Sequence, residues 1–364
     1  MSEDLVMEAT AVARAAEPER RPGGDREKRV PAIVARALAR AYGPGKGVED
    51  IDLEIPEGEC FGILGRNGSG KSTLTRLLSG TEAADSGSLA VFGVPARLRG
   101  SPAMKRRSCA VFDRSVFWEN LSGRENAYFF ARSYGMEDGE IQERLAFFFD
   151  LAGMDERASD KVAEYSFGMR RKLGILEALA VDPDLLILDE PSIGLDAAFK
   201  LSLTAQIRER TERGKTTWIS GNDPEFLEGT ASRVGFMEKG RLAACAGVGE
   251  LLRDLRKTQT VLVEAEVPTR VDRPALPGLR AFEQDGDTIS AVIDGDPFGV
   301  PRLMDALVRQ GFPIRTIEVR RGNLRDAFLL RTLARTLARL LARTPAVMPA
   351  SGRDTEGARH GVPR

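Results

Sequence analysis

Histidine is almost missing from this chain of 364 residues, since His360 is the single one and lies near the end. Catalytic triads that need histidine and metal sites built from several histidines are therefore excluded. Cysteine is also scarce. Cys60, Cys109 and Cys245 are odd in number and have no CxxC spacing, which argues against a disulfide framework or a zinc ribbon. We interpret them as small core residues of a protein in a reducing compartment.

The chain also lacks an excess of charge and a long apolar run. Its 53 basic side chains are matched by 54 acidic ones, so bulk charge gives no reason to expect a nucleic-acid partner. No segment approaches the ~18 consecutive apolar residues of a membrane span. Residues 1–30 mix acids with arginines where a signal peptide would have an apolar core. We therefore expect a cytoplasmic protein with a disordered leader.

The order of apolar runs predicts two folded units. From about residue 31, short apolar runs alternate with helix-length segments, which is typical of a mostly parallel sheet covered by helices. This pattern predicts an α/β domain over 31–247 with a helical insert at about 115–180. A change of composition after Glu250 predicts a small α+β accessory domain over 248–345 that ends in a basic helix. The arginines of this helix are either solvated while its leucines pack on the domain or a partner, or the helix lies on a membrane surface. Residues 346–364 are predicted to be a disordered tail.

The strongest motif is GRNGSGKST, which follows the apolar run CFGIL and precedes the helical segment LTRLLSG. It satisfies the P-loop pattern, in which glycines let the backbone wrap phosphates and the following helix adds its positive dipole end. Lys71 would reach the β- and γ-phosphates of ATP, and the Ser72 hydroxyl would bind Mg²⁺. The predicted ATP-binding residues of the loop are Gly65, Arg66, Asn67, Gly68, Ser69, Gly70, Lys71, Ser72 and Thr73.

A second motif, LLILDEP, places Asp189 and Glu190 after a buried strand. Ligands of open α/β sheets lie beyond the carboxyl ends of the strands, so both carboxylates are expected beside the phosphate loop. Asp189 suits the Mg²⁺ shell together with Ser72. Glu190 suits polarisation of the attacking water. The two motifs together predict a P-loop nucleoside triphosphatase.

From Tyr42 to about Arg241 the chain resembles the nucleotide-binding subunit of ATP-binding cassette (ABC) transporters. The resemblance implies that Tyr42 stacks on adenine, although it also fits an ordinary surface aromatic. It implies that a signature segment at the start of a helix contacts ATP held by a second subunit, and that Asp196 crosses the dimer interface. A helix merely capped by Ser166 is the alternative. The signature residues are Ser166, Phe167, Gly168 and Met169, where Phe167 and Met169 replace the usual Gly and Gln.

Two further departures from the family concern catalysis. Asp113 stands where the family has a Gln that senses Mg²⁺ and water, and its carboxylate could ligate the metal. Asn222 stands where the family has its switch histidine, and an amide cannot carry a proton or a positive charge. We expect that ATP binding survives and that hydrolysis is slow. The alternative is that Glu190 and the backbone suffice.

The resemblance implies an ATPase subunit that powers a separate integral membrane permease and is peripheral on the inner face of the membrane. The helical insert, with Asp113 at its entrance, is the expected docking surface. An apolar patch there could include Phe117 and Trp118, whereas Phe129 and Phe130 are expected in the core. The segment VRRGNLRDAFLLR is similar to the appended domain of ABC-2 type exporters of drugs, lipids or polysaccharides. A homodimer, a heterodimer in which this chain is the weakened partner, and a non-transport ATP clamp all stay open.

Overall fold

The computed structural model describes residues 30–96, 102–113, 115–255, 257–267 and 269–324. The predicted tail, the basic helix after residue 324, His360 and almost all of the predicted leader lie outside these residues. Within the described part of the chain, helices with the length and apolarity of a membrane span are not found.

The central element is a six-stranded sheet in the order β10-β9-β3-β8-β7-β6. Five strands run parallel, and β10 is antiparallel to β9. Every residue of β3, β7 and β8 is buried, which explains their continuous apolar sequences. The strands are β3 Cys60–Gly65, β6 Ser108–Val111, β7 Leu185–Asp189, β8 Thr216–Gly221, β9 Arg233–Glu238 and β10 Arg241–Gly247.

A second sheet, which the sequence did not predict, is antiparallel and has the order β2-β1-β4-β5. Its register is interrupted by bulges, including one between Ala35 and Leu38, where Ala37 adopts a φ of 44°. The strands are β1 Ile33–Gly43, β2 Lys46–Ile55, β4 Ser86–Val91 and β5 Val94–Pro95.

Two apolar cores lie on opposite faces of the central sheet, because successive strand residues point to opposite sides. One face packs against the antiparallel sheet, and there Trp218 stacks on Phe61 with ring centroids 5.6 Å apart. The other face packs against the helical insert. This second core also includes Leu251 and Leu252 of the helix Val248–Leu255, which follows the predicted boundary at residue 247.

The helical insert contains α3, α4 and α5. A capping box of Ser122 and Glu125 begins α3. The prediction that Phe129 lies in the core is wrong, since its side chain is exposed. The helices up to the accessory unit are α1 Lys71–Leu78, α2 Pro102–Arg107, α3 Gly123–Ser133, α4 Asp138–Leu151, α5 Phe167–Ala180, α6 Ala197–Glu212, α7 Pro224–Thr230 and α8 Val248–Leu255.

The accessory unit is an antiparallel sheet in the order β12-β13-β11-β14 with one helix packed on it. A hairpin turn at Asp285-Gly286 joins β12 to β13, and Gly286 has a φ of 61° that favours glycine. Its core includes Val261, Ile289 and Leu303. The elements are β11 Thr258–Ala265, β12 Leu279–Asp285, β13 Thr288–Asp294, α9 Gly299–Arg309 and β14 Ile314–Arg321.

Candidate functional site

The phosphate loop leaves β3 and enters α1 with no room for side chains at two glycines. A Cβ on Gly65 would lie 2.4 Å from the Ser69 Oγ, and one on Gly70 would lie 2.7 Å from the Gly47 carbonyl oxygen. Gly70 is also the N-cap of α1, with a φ of 106°. The first N–H groups of a helix have no intrahelical acceptor, so the turn after Gly70 presents donors that fit a polyphosphate. Among the described residues the buried Ser69 Oγ has no hydrogen-bond partner either.

Lys71 places an ammonium group inside this loop. The residue is only 5% exposed, and its Nζ donates to the Gly65 carbonyl oxygen at 2.8 Å. The same Nζ lies 3.4 Å from the Glu190 Oε1. The structure therefore joins the two predicted motifs through one ion pair, although 119 positions separate them in the chain.

Asp189 lies at the carboxyl end of β7, beside the start of α1. Its Oδ1 accepts a hydrogen bond from the Ser220 hydroxyl and lies 3.5 Å from the Ser72 Oγ. Carboxylate and hydroxyl oxygens are hard donors of the kind that Mg²⁺ prefers, with phosphate and water oxygens completing the shell. The residues present therefore fit Mg²⁺. Groups of three or more acidic, Cys or His side chains that could hold a metal are not found within the described ranges.

Glu190 follows Asp189 and has a φ of 51°, in the left-handed region. For a residue with a side chain this conformation costs about 1–3 kcal/mol and occurs where neighbouring contacts fix it. The Glu190 Oε2 accepts a hydrogen bond from the Asn222 backbone N–H at 3.2 Å. Together with the Lys71 ion pair, this bond holds the carboxylate toward the phosphate loop.

Asn222 is exposed and follows β8, which pairs with both β3 and β7. A cavity of about 400 Å³ is lined by Asn222 together with Arg66 and Asn67 of the phosphate loop. Asn222 therefore lines a cavity that it shares with the phosphate loop, and its contact with a γ-phosphate stays a prediction. The other lining residues are Leu64, Gly65 and Pro224.

Asp113 follows β6, and its side chain is exposed. Burial lowers the pKa of Arg171, and the nearby Asp113 carboxylate partly opposes this shift. A place for Asp113 in the Mg²⁺ shell stays a prediction. Sequence reasoning missed Arg171 and Ser220. Register could have found Ser220, which is paired with Asp189 in neighbouring strands. Arg171 gave no local signal, because arginine in a helix ordinarily lies in solvent.

The predicted signature segment begins α5. Ser166 is the N-cap, and its Oγ accepts a hydrogen bond from the Met169 N–H at 3.3 Å. The exposed Phe167 ring covers Gly194, where a Cβ would lie 2.6 Å from the Phe167 Cε1. A Cβ on Gly168 would lie 2.8 Å from the Gly194 carbonyl oxygen. The signature segment therefore packs closely on the loop that follows Glu190.

Asp196 ends that loop and caps α6 by accepting the Phe199 N–H at 2.9 Å. It also pairs with Lys172 of α5 at 2.6 Å. The Lys172 ammonium and then the Phe199 N–H lower the pKa of Asp196 below its usual value. A contact of Asp196 with a second subunit stays a prediction, and its exposed side chain is compatible with one.

Tyr42 lies at the end of β1 in the hairpin whose second strand reaches the phosphate loop at Gly47. Its hydroxyl donates to Glu82, and the Arg40 guanidinium lies over its ring, 5.2 Å from the centroid. The ring is exposed, so stacking on adenine stays a prediction.

Comparison with known proteins gives one family and many relatives. The family described as "ABC transporter" matches residues 48–193, a range that includes the phosphate loop, the signature segment and Glu190. The Nod factor export ATP-binding protein I of Rhizobium johnstonii is 30% identical, over 83% of this chain and 94% of that protein. The linearmycin resistance ATP-binding protein LnrL of Bacillus subtilis is 33% identical, over 58% of this chain and 68% of that protein.

Solved structures agree with this fold. The ATP-binding subunit of an ABC transporter has a TM-score of 0.57 and 26% identity, and the match covers 61% of this chain and 92% of that one. A dimeric ATP-binding cassette in a post-hydrolysis state, bound to ADP and Pi, has a TM-score of 0.54. That match covers 59% of this chain and 98% of that one at 20% identity, which supports the fold alone.

Proposed function

This chain belongs to the ABC transporter family of ATP-binding subunits, and we propose that it hydrolyses ATP to drive an ABC-2 type exporter of a drug, lipid or polysaccharide. The transport step itself would occur in a separate permease. Relatives named for Nod factor export and for linearmycin resistance support the direction of transport and this range of cargo.

The observation that carries the proposal is the convergence of four side chains at the carboxyl edge of the central sheet. Lys71, Ser72, Asp189 and Glu190 come from two distant motifs and are joined by contacts of 3.4 and 3.5 Å. Ser72 and Asp189 would hold Mg²⁺, which neutralises charge on the phosphate oxygens when it is bound. Lys71 and the N–H groups after Gly70 would bind the phosphates.

Glu190 would then orient the attacking water and accept its proton. Its carboxylate is suited to this role because the Asn222 N–H and the Lys71 ammonium fix it near the place of the γ-phosphate. Asn222 could add an amide hydrogen bond to the γ-phosphate, but it cannot carry a proton. We therefore infer that hydrolysis is slow.

An Asn222→His variant tests this explanation of a slow rate. Steady-state turnover of the purified chain, alone and with its permease, should rise in the variant. Proton-transfer groups typically contribute ~10²- to 10⁴-fold, so even partial recovery is measurable. An Asn222→Gln variant is the matched control, since it keeps the amide chemistry. Equal rates in all three proteins would discard Asn222 as the cause.

Binding itself is tested by titration with a fluorescent ATP analogue and Mg²⁺. We expect saturable binding by the parent chain and a weakening of ~10- to 100-fold in Lys71→Ala, since a hydrogen bond to a charged group contributes ~1.5–3 kcal/mol. Lys105→Ala, an exposed lysine of α2, is the control. A parent chain that takes up no nucleotide would overturn the proposed function.

A dimer is what the family resemblance implies. Ser166 would meet the γ-phosphate in the second subunit, and Asp196 would cross the interface. In the structure both residues sit on one packed unit, because Asp196 pairs with Lys172 of α5.

The permease surface is supported by exposed apolar side chains at the entrance of the helical insert. Val116 is 96% exposed, Trp118 is 61% exposed and Phe129 is 48% exposed. The rings of Trp118 and Phe129 pack edge to face with their centroids 6.0 Å apart. The loop is held in place because the Trp118 N–H donates to the buried Asn126 Oδ1 at 2.9 Å. Exposed apolar clusters of this kind mark protein interfaces. Binding there would make the chain peripheral on the inner face of the membrane.

A heterodimer in which this chain is the weakened partner is the second candidate. Asp113 and Asn222 favour it, since both replace residues that act in hydrolysis in the family. Gel filtration with ATP, alone and with a candidate paralogue, separates the two cases. A dimer that forms only with the paralogue would favour the second candidate.

A further inference from the structure

Arg171 is a buried arginine of α5 whose guanidinium donates to backbone carbonyl groups of the candidate site. It is 4% exposed and lies one turn after the signature segment. Its Nη1 donates to the Phe112 carbonyl oxygen at 2.5 Å. Its Nη2 donates to the Glu190 carbonyl oxygen at 2.6 Å and also to that of Asp189. One guanidinium therefore joins three segments that are distant in sequence.

Two of those carbonyl groups flank the α-carbon of Glu190. The peptide before it carries the Asp189 carbonyl, and the peptide after it carries the Glu190 carbonyl. A planar guanidinium that donates to both restricts the rotation of the backbone between them. Glu190 is the residue held at a φ of 51°, so the contacts lie where the backbone most needs external support.

The position of Glu190's backbone decides where its carboxylate can reach. In the structure this carboxylate contacts the Lys71 ammonium and the Asn222 N–H. A change of either flanking peptide would turn the side chain away from both. A displacement of about 1 Å in a reacting group costs ~10²-fold in rate.

Charge adds to this geometry. Burial is the largest influence on the pKa of Arg171 and lowers it, whereas Asp113, Asp189 and Glu190 raise it. The guanidinium thus offsets three carboxylate charges beneath the site, while Lys71 offsets them from the side of the phosphate loop. The replacement at Asp113 adds one of those three charges, directly after the Phe112 carbonyl that Arg171 binds.

We propose that Arg171 is a positioning residue that holds Glu190 in its catalytic orientation and couples it to the signature segment at the start of α5. The inference rests on the proposed ATPase function. Because Arg171 and the Ser166 cap belong to the same helix, a movement of α5 on contact with a second subunit changes the support of Glu190 directly. Binding of the signature segment to ATP in the second subunit would thereby be linked to hydrolysis at the Glu190 site of this chain.

The test compares Arg171→Gln and Arg171→Lys with the parent chain in a single-turnover assay with the protein in excess over Mg-ATP, which resolves slow rates. We expect both variants to lose ~10²-fold in the hydrolysis step, because lysine keeps the charge but not the planar fork. Affinity for a fluorescent ATP analogue should change less than about threefold, since Arg171 makes no contact with the phosphate loop's donors.

Arg144→Gln is the matched control, since Arg144 of α4 also donates to a backbone carbonyl, that of Leu179 at 3.1 Å, away from the site. Its rate should equal that of the parent chain. If Arg171→Gln does not fold, Arg171→Lys decides alone. A rate in the Arg171 variants equal to that of Arg144→Gln, or a loss that is entirely one of affinity, would overturn the proposal. If the parent chain binds Mg-ATP and the Arg171 variants give either of these results, only the inference is refuted. If the parent chain binds no nucleotide, the proposed function itself is refuted.

Discussion

Removing the buried carboxyl of Glu177 should stabilise the protein at alkaline pH. Glu177 lies in α5, is 7% exposed and faces the core that includes Cys109. Burial raises the pKa of Glu177 from 4.5 to about 8. Burial of the Cys109 thiol, and to a lesser extent the nearby charge of Glu177, raise the pKa of Cys109 to about 12.

The sign of the effect follows from the direction of the shift. Below pH 4.5 the carboxyl is protonated in both folded and unfolded chains. Between about pH 4.5 and 8 the unfolded chain releases the proton while the folded chain retains it, so the free energy of unfolding falls as pH rises. At about 1.36 kcal/mol per pH unit, the free energy of unfolding is lower by about 4–5 kcal/mol at pH 8 than at low pH. At pH 4.5 this decrease is nearly absent.

Glu177→Gln should therefore flatten the pH dependence of the free energy of unfolding. The difference in free energy of unfolding between the variant and the parent chain should favour the variant by about 3 kcal/mol more at pH 8 than at pH 5. Urea unfolding at a series of pH values measures this, with the fluorescence of the wholly buried Trp218 as a probe of the cassette. Glu143→Gln, on the exposed face of α4, is the control that should leave the slope unchanged. Parallel curves for the parent and Glu177→Gln would refute the reasoning.

Three other predictions concern the site and its surroundings. Glu190→Gln should lower single-turnover hydrolysis by ~10²- to 10⁴-fold while ATP titration stays unchanged, and continued turnover would remove Glu190 from its role. Asp196→Ala should lower the free energy of unfolding by about 1 kcal/mol through loss of the α6 cap, and Asp196→Asn should recover most of it; a neutral alanine variant would contradict the capping role. Trp118→Ser should weaken co-purification with the permease without changing ATP binding by the isolated chain, and undiminished co-purification would place the docking surface elsewhere.

The central sheet could be predicted because its chemistry is local. A strand buried on both faces needs continuous apolar residues, as in CFGIL and LLILD. The edge where the site forms also followed, because parallel strands that precede a phosphate loop and two carboxylates end on the same side.

The antiparallel sheet could not be predicted in this way. Its first strand reads IVARALARAYG, in which alanine, leucine and arginine favour a helix intrinsically. Pairing with β2 and β4 overrides that preference. Similarly, the three consecutive phenylalanines of α4 leave its buried face ambiguous. In the structure Phe147 is exposed, whereas Phe148 and Phe149 are buried.

The site adds a distinction that sequence comparison alone does not make. Residue 222 contacts Glu190 through its backbone N–H, which every residue except proline has. Asparagine in place of histidine therefore leaves that support of Glu190 intact and removes only what the side chain would do at the γ-phosphate. At Arg171, by contrast, the side chain itself makes the contacts, since its guanidinium donates to backbone carbonyl groups of the site. A substitution there would therefore change the position of Glu190. A His at 222 should thus restore rate only in a chain that retains Arg171, and an additive gain in the Asn222→His, Arg171→Gln double variant would show that the two act independently.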